Sequence, residues 1–97
     1  MSFPRLKTYV KDPDEKLDYS VDWSAYLQAK QDTIGSSTWI VPGGIGNSAP
    51  SNDIYGATIW LDGGTHGQDY IVVNRITTAQ GRIEEASIVV AVRSSAS

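Results

Sequence analysis

Gly56-Ala57-Thr58-Ile59-Trp60-Leu61-Asp62, followed by Gly63-Gly64-Thr65-His66-Gly67 and then Tyr70-Ile71-Val72-Val73-Asn74-Arg75-Ile76-Thr77-Thr78, is the stretch that decides the fold. From 56 to 62, small or apolar residues alternate with polar ones, the period of a half-buried strand. The glycine-rich run then breaks the pattern, and glycine accepts the positive φ that a tight turn demands. From Tyr70 a strand rich in Val, Ile and Thr follows. It sets Tyr70, Val72, Asn74 and Ile76 on one face and Ile71, Val73, Arg75 and Thr77 on the other. Both faces are partly apolar, which places this strand inside a sheet with a neighbour on each side. The chain turns again at Ala79-Gln80-Gly81-Arg82 and returns through Glu84 to Val92. In that last strand Ala86, Ile88, Val90 and Val92 look inward, and Glu85, Ser87 and Arg93 outward.

Upstream, Leu17, Tyr19, Val21 and Trp23 alternate with Asp18, Ser20 and Asp22, a second half-buried strand. Asp22 is placed to cap a single helical turn over Trp23 to Leu27, its carboxylate accepting from a free backbone N–H. Asp32 to Val41 reads as a further strand region anchored by Ile34, Trp39 and Val41. Ile34 and Trp39 are an odd number of residues apart, so Gly35-Ser36-Ser37 must hold a bulge that corrects the register. Pro42-Gly43-Gly44 ends the strand, and residues 43–53, rich in Gly, Asn, Ser and Pro, read as a loop. Residues 1–16 are polar and broken by Pro4 and Pro13, an arm with a short edge strand at Leu6 to Val10. No 3.6-residue periodicity supports a helix longer than about two turns. A tyrosine three residues after a glycine, opening a strand that ends in a hairpin, is the pattern of an immunoglobulin-like sandwich, with Tyr70 in the tyrosine-corner role. The sequence therefore predicts an all-β, single-domain, immunoglobulin-like β-sandwich over residues 17–93. An N-terminal arm at 1–16 precedes it and a disordered tail at 94–97 follows. The expected core is Trp39, Ile59, Leu61, Tyr70, Val72, Ile88 and Val90.

The 97 residues are enough for one such domain. The net charge of −3 supplies no basic groove, so nucleic acid is an unsuited partner. Charges crowd the first 33 residues and the segment 34–52 carries none. That neutral segment is either a surface loop that happens to lack charge or one that lies against a partner. Cysteine is absent, which suits folding in a reducing cytosol. Met1 to Lys7 has no apolar core of a secretory signal, and no apolar run approaches the length of a membrane span.

Lys11-Asp12-Pro13-Asp14, Leu17 to Leu27, Asp32-Thr33-Ile34 with Trp39 to Pro42, Ala57 to Thr65 and Tyr70 to Thr78 occur in an order that resembles the phage fiber–tail adaptor type of protein. These are small structural proteins of tailed phages and prophages. The resemblance covers roughly residues 11–92 and lies in the order and spacing of the blocks. It implies an immunoglobulin-like sandwich and a structural, non-enzymatic role in the virion. The protein would fold in the bacterial host cytoplasm before assembly. Its partners would be other phage tail or fiber proteins, with a homo-oligomer in the assembly. The resemblance assigns no functional residue. The first ten residues and the loop from Gly43 to Asn52 lie outside the similar blocks.

The candidates for chemistry are few. His66 is the single histidine and sits in a glycine turn where nothing is expected to fix its tautomer. One histidine and no cysteine cannot build a metal site of those ligands. Asp12, Asp14 and Asp18 lack the glycine and the closing glutamate of a calcium loop. Neither Gly43-Gly44-Ile45-Gly46 nor Gly63 to Gly67 continues into the Lys-Ser/Thr of a phosphate cradle. No catalytic pair, cofactor motif or metal set is read. Trp60 shares a face with Thr58, opposite Ala57, Ile59 and Leu61. It is either an exposed anchor for a partner or a ring lying flat over its own sheet. The residues singled out for partner contact are Trp60, Ile45, Asn47 and Asn52, on the expectation that 42–53 is mobile when the protein is alone and ordered in the assembly. The rival reading is a carbohydrate-binding sandwich that uses an exposed Trp60 and Tyr55.

Overall fold

The computed structural model describes residues 7–94. They form seven strands and one short helix: β1 (Lys7–Lys11), β2 (Lys16–Asp22), α1 (Ser24–Ala29), β3 (Ile34–Ile40), β4 (Gly46–Asn52), β5 (Gly56–Asp62), β6 (Asp69–Thr78) and β7 (Ile83–Val92). The strands divide into a four-stranded sheet of order β1-β7-β6-β3 and a three-stranded sheet of order β2-β5-β4. β1 runs parallel to β7, and every other pairing is antiparallel. The two sheets pack as a β-sandwich, with the inward sides of both forming the core.

β6 lies between β7 and β3, the central position that its two partly apolar faces demand. Tyr70, Val72, Asn74 and Ile76 are all buried, whereas Ile71 and Arg75 are exposed. Ile59, Leu61, Tyr70, Val72, Ile88 and Val90 are buried as expected; Trp39, on the edge strand β3, is only half-buried. A second cluster of Trp23, Leu27, Ile34, Ile76 and Ala86 fills the end of the sandwich under α1. The register of β3 against β6 shifts between Ile34 and Ser36, the bulge required by the spacing of Ile34 and Trp39.

Three local outcomes differ from the sequence reading. Residues 46–52 are not a loop: they form β4, the edge of the smaller sheet, paired with β5 and bulged between Ser48 and Ser51. Proline and glycine hide this strand in the sequence, and an edge is where a sheet tolerates Pro50. The turn after it is set by Asp53, whose Oδ1 accepts from the N–H groups of Tyr55 and Gly56, both at 2.8 Å. Asp22 precedes the N-cap of α1, which is Trp23, and accepts from the Ser24 N–H at 2.8 Å. Those hydrogen bonds from Ser24, side chain and backbone, hold the Asp22 carboxyl below its usual range.

The third concerns the arm. Its expected edge strand is β1, shifted one residue to Lys7–Lys11, and Met1 to Leu6 lie outside the described residues. Lys11 ends β1 with its side chain pointing inward, fully buried. Its Nζ donates to the carbonyls of Gly63 at 2.6 Å and Asp12 at 2.8 Å. Gly63 follows β5, so this side chain ties one sheet to the other. At the same end the Tyr70 hydroxyl accepts from the Thr65 N–H at 2.9 Å, the back-bond expected of it. Gly64 has φ +94°, and a Cβ there would meet Val92 Cγ2 at 2.7 Å, so glycine is required on two counts. His66 is better fixed than its turn promised, since its Nδ1 accepts from the Ser94 N–H at 2.8 Å. The proton of the neutral ring is thereby assigned to Nε2. Residues 95–97 of the expected tail lie outside the described residues.

Candidate docking surfaces

The sandwich presents two outer faces and a side wall between them. On the three-stranded sheet, β2 turns Lys16, Asp18, Ser20 and Asp22 outward, and β5 turns Gly56, Thr58, Trp60 and Asp62 outward. Ser20 and Thr58 hydroxyls share a hydrogen bond of 2.8 Å. Trp60 stands on this face, 38 % exposed, over a shallow hollow formed with Lys16, Ser48 and Ala49. The outward position is the one its alternation predicts.

The other residues singled out for contact separate. Ile45 is 7 % exposed and packs in the main core with Tyr19, Leu61 and Tyr70, so its side chain is not available to a partner in this fold. Asn47 and Asn52 are exposed on β4, opposite Leu61 and Ala57, on the inward-facing register rather than beside Trp60. All three of Trp60, Asn47 and Asn52 still border the same sheet edge. Tyr55 lines a different hollow, of about 430 Å³, with Asp22, Ser51, Asn52, Asp53 and Thr58, and its ring packs against the second core cluster. Trp60 and Tyr55 therefore do not form one aromatic platform.

The neutral segment acquires a meaning in the fold. β3 and β4 belong to different sheets, yet they are the edges on the same side of the sandwich and approach one another there. Residues 34–52, without a single charge, thus build one uncharged side wall. At the far end of β3, charge returns in buried form. Asp32 accepts from the Thr33 N–H at 2.9 Å, the Gln80 N–H at 3.2 Å and Arg82 Nη1 at 2.8 Å. Burial pushes this carboxyl up, but hydrogen bonds from Thr78, Thr33, Arg82 and Gln80 outweigh it and the net shift is downward.

On the four-stranded sheet the outer face is apolar across its middle. Val10 of β1, Ile71 of β6 and Ile40 of β3 are 69, 56 and 46 % exposed. Half-buried Val89 and Val73 join them, because Val89 pairs with Ile71 and Val73 with Ile40. An ion pair bounds this band at each end: Arg75–Glu85 toward the β6–β7 turn and Arg93–Asp69, at 2.8 Å, at the other. Among the described residues no group of three or more His, Cys, Asp or Glu is arranged to hold a metal ion, and no helix is long and apolar enough to cross a membrane.

Compared with known proteins, residues 11–91 match the model of a family described as podophage GP4 fiber-tail adaptor protein gp77. No curated protein sequence matches the chain.

Proposed function

This chain belongs to the podophage GP4 fiber-tail adaptor family, and we propose that it is a structural part of a phage or prophage tail that works by docking between other tail or fiber proteins, without catalysis. The observation that carries this reading is the family match, which spans almost all of the folded domain. The structure adds a physical means. The wall of β3 and β4 is uncharged, so a partner can approach it without desolvating fixed charge, and Trp60 lies beside it on the outer face, next to Lys16 and Asp18. Trp60, Asn47 and Asn52 are the contact residues of this proposal; Ile45 supports the wall from beneath.

An immunoglobulin-like assignment of the sandwich is part of the same proposal. It is supported by the first strand lying parallel to the last, by the grouping of β2, β5 and β4 against β7, β6 and β3, and by the Tyr70 back-bond. The protein folds in the host cytoplasm and ends in the virion.

The test is incorporation. Particles assembled with Trp60→Ala in place of the parent are purified, and the adaptor is quantified by mass spectrometry. An exposed tryptophan that anchors an interface contributes about 2 kcal/mol or more, which is about 30-fold in affinity. A large loss of the variant from particles, with its thermal midpoint unchanged, supports the reading. Full incorporation of Trp60→Ala removes this surface from the proposal, and absence of the parent protein from particles defeats the virion role itself.

A further inference from the structure

The outer face of the four-stranded sheet is not used by the docking surface described above, and it is the more apolar of the two faces. An antiparallel sheet with one side in water ordinarily turns polar residues outward. Here Ile40, Val73, Ile71, Val89 and Val10 instead form a diagonal band that crosses all four strands. A contiguous exposed apolar band of this kind marks an interaction site. We propose that its occupant is a second copy of this chain, packed face to face about a two-fold axis that runs across the strands between Ile71 and Val73.

Two observations select that occupant. The first is charge. The net charge of −3 lies elsewhere on the molecule, because the outward residues of β6 and β7 with the adjoining Arg93 carry two arginines, Arg75 and Arg93, against two carboxylates, Glu85 and Asp69. Two copies therefore meet here without net repulsion. Their arrangement is also self-complementary. Asp69 pairs with Ala91 and Arg75 with Glu85 in the sheet register, and Arg93 extends β7 two residues past Ala91. A two-fold across the middle of the band reverses the strand direction. It brings Arg75 over the partner's Asp69 and Ile71 over the partner's Val73, and it sets Glu85 over the partner's Ala91, on the side toward the Arg93 that pairs with Asp69. Unlike charges face each other at both ends, and apolar side chains fill the centre.

The second observation is size. Four strands about 4.8 Å apart, with the central two about ten residues long, give a projected footprint of about 500 Å² before side-chain relief is counted. A stable interface buries about 800 Å² per partner, so the flat face supplies more than half of one, and side-chain relief with the rim residues has to supply the rest. Self-packing of one patch on its own copy is also the commonest symmetry of soluble oligomers. The inference does not rest on the adaptor reading, since a dimer through this face leaves Trp60 and the neutral wall open.

The experiment is sedimentation of the full chain from about 1 µM to about 1 mM, a range that spans weak and moderate affinities. The expected result is a rise from the mass of one chain, 10.5 kDa, to that of two. Ile71→Lys, whose side chain points to solvent in the monomer, should stay monomeric throughout with an unchanged thermal midpoint. Arg75→Glu and Asp69→Arg should each self-associate at least about tenfold more weakly, because each sets like charges opposite one another. Mixed in equal amounts the two variants should associate again: the new glutamate then faces the new arginine, and the remaining Asp69 faces the remaining Arg75. A parent chain that is monomeric up to about 1 mM overturns the proposal. So does a dimeric parent whose two charge variants fail to recover on mixing, which would place the two-fold elsewhere.

Discussion

Replacing Asn74 by leucine should be among the most damaging single changes in this protein that keep the number of side-chain heavy atoms. Asn74 is fully buried at the centre of β6. Its Oδ1 accepts from Trp23 Nε1 at 2.9 Å, and its Nδ2 donates to Ser37 Oγ at 2.9 Å and to the Thr38 carbonyl at 3.3 Å. One side chain therefore links the segment leaving β2 to the edge strand of the other sheet. Leucine removes all three bonds at once. The buried indole N–H loses the Asn74 acceptor, and a buried donor deprived of its acceptor costs about 1–3 kcal/mol. Ser37 is half-buried and Thr38 exposed, so water compensates part of their loss. Leucine also adds apolar burial, which favours the variant by roughly 1 kcal/mol. The balance is a net loss of about 2 kcal/mol, or a fall of about 8–16 °C in the thermal midpoint for a domain of this size. Urea denaturation measures it directly. A double-mutant cycle with Trp23→Phe isolates the indole bond, because removing both partners is far less harmful than removing one. If Asn74→Leu matches the parent, or if the two changes add within about 0.5 kcal/mol, the bond does not contribute as argued.

Two further outcomes follow from the ends of the sandwich. Tyr70→Phe deletes only the acceptor for the Thr65 N–H and should lower stability by about 1 kcal/mol in urea denaturation, with the fold unchanged; a variant equal to the parent would mean that water replaces the hydroxyl. Asp32 has a folded pKa below its unfolded value of about 3.9. The unfolded chain therefore binds more protons in that window, and the stability this carboxylate contributes is present above about pH 4 and lost as pH falls through the folded pKa. The gap in urea midpoint between the parent and Asp32→Asn should shrink steadily as pH is lowered from 7 to about 2. A gap independent of pH would show that Asp32 acts by packing and not by charge.

The strands that were legible in the sequence are those whose two faces differ or whose both faces are apolar. β6 and β7 could be read residue by residue, because a period of two survives when one side is core and the other water. The bulge at Gly35 was legible from a parity mismatch alone, and Tyr70 from its place after a glycine turn. β4 was not legible: an edge strand with one paired side needs neither alternation nor β-branched residues, and Gly46, Pro50 and Asn52 resemble a loop. Lys11 was missed for a different reason. A lysine in a charged run reads as solvated, and the inward parity that it shares with Tyr9 becomes visible only once β1 is known to lie on β7. Ile45 was placed on the surface because the segment around it was taken for a loop. The apolar band of the larger sheet spans strands distant in sequence, and only the register assembles it.

The buried polar groups explain how a small domain without a disulfide holds its shape. Lys11 joins β1 to the carbonyl after β5 at one end, Asn74 joins the sheets at the centre, and Asp32 clasps the β6–β7 turn to the start of β3 at the other. Each makes at least one bond to a group far away in the chain, and those long-range bonds require the sheets to be in register. That makes them sensitive to register in a way that apolar contacts are not, since a slip by one strand residue would leave a buried donor or acceptor unpaired. The consequence reaches function. A body pinned at both ends and at its middle surrenders little conformational freedom when a partner docks, and lost freedom is a main opponent of binding. Under the docking role proposed above, a frame pinned in this way would contribute to affinity. Under the same role, loosening the frame at the buried Asn74 should weaken binding of a tail partner.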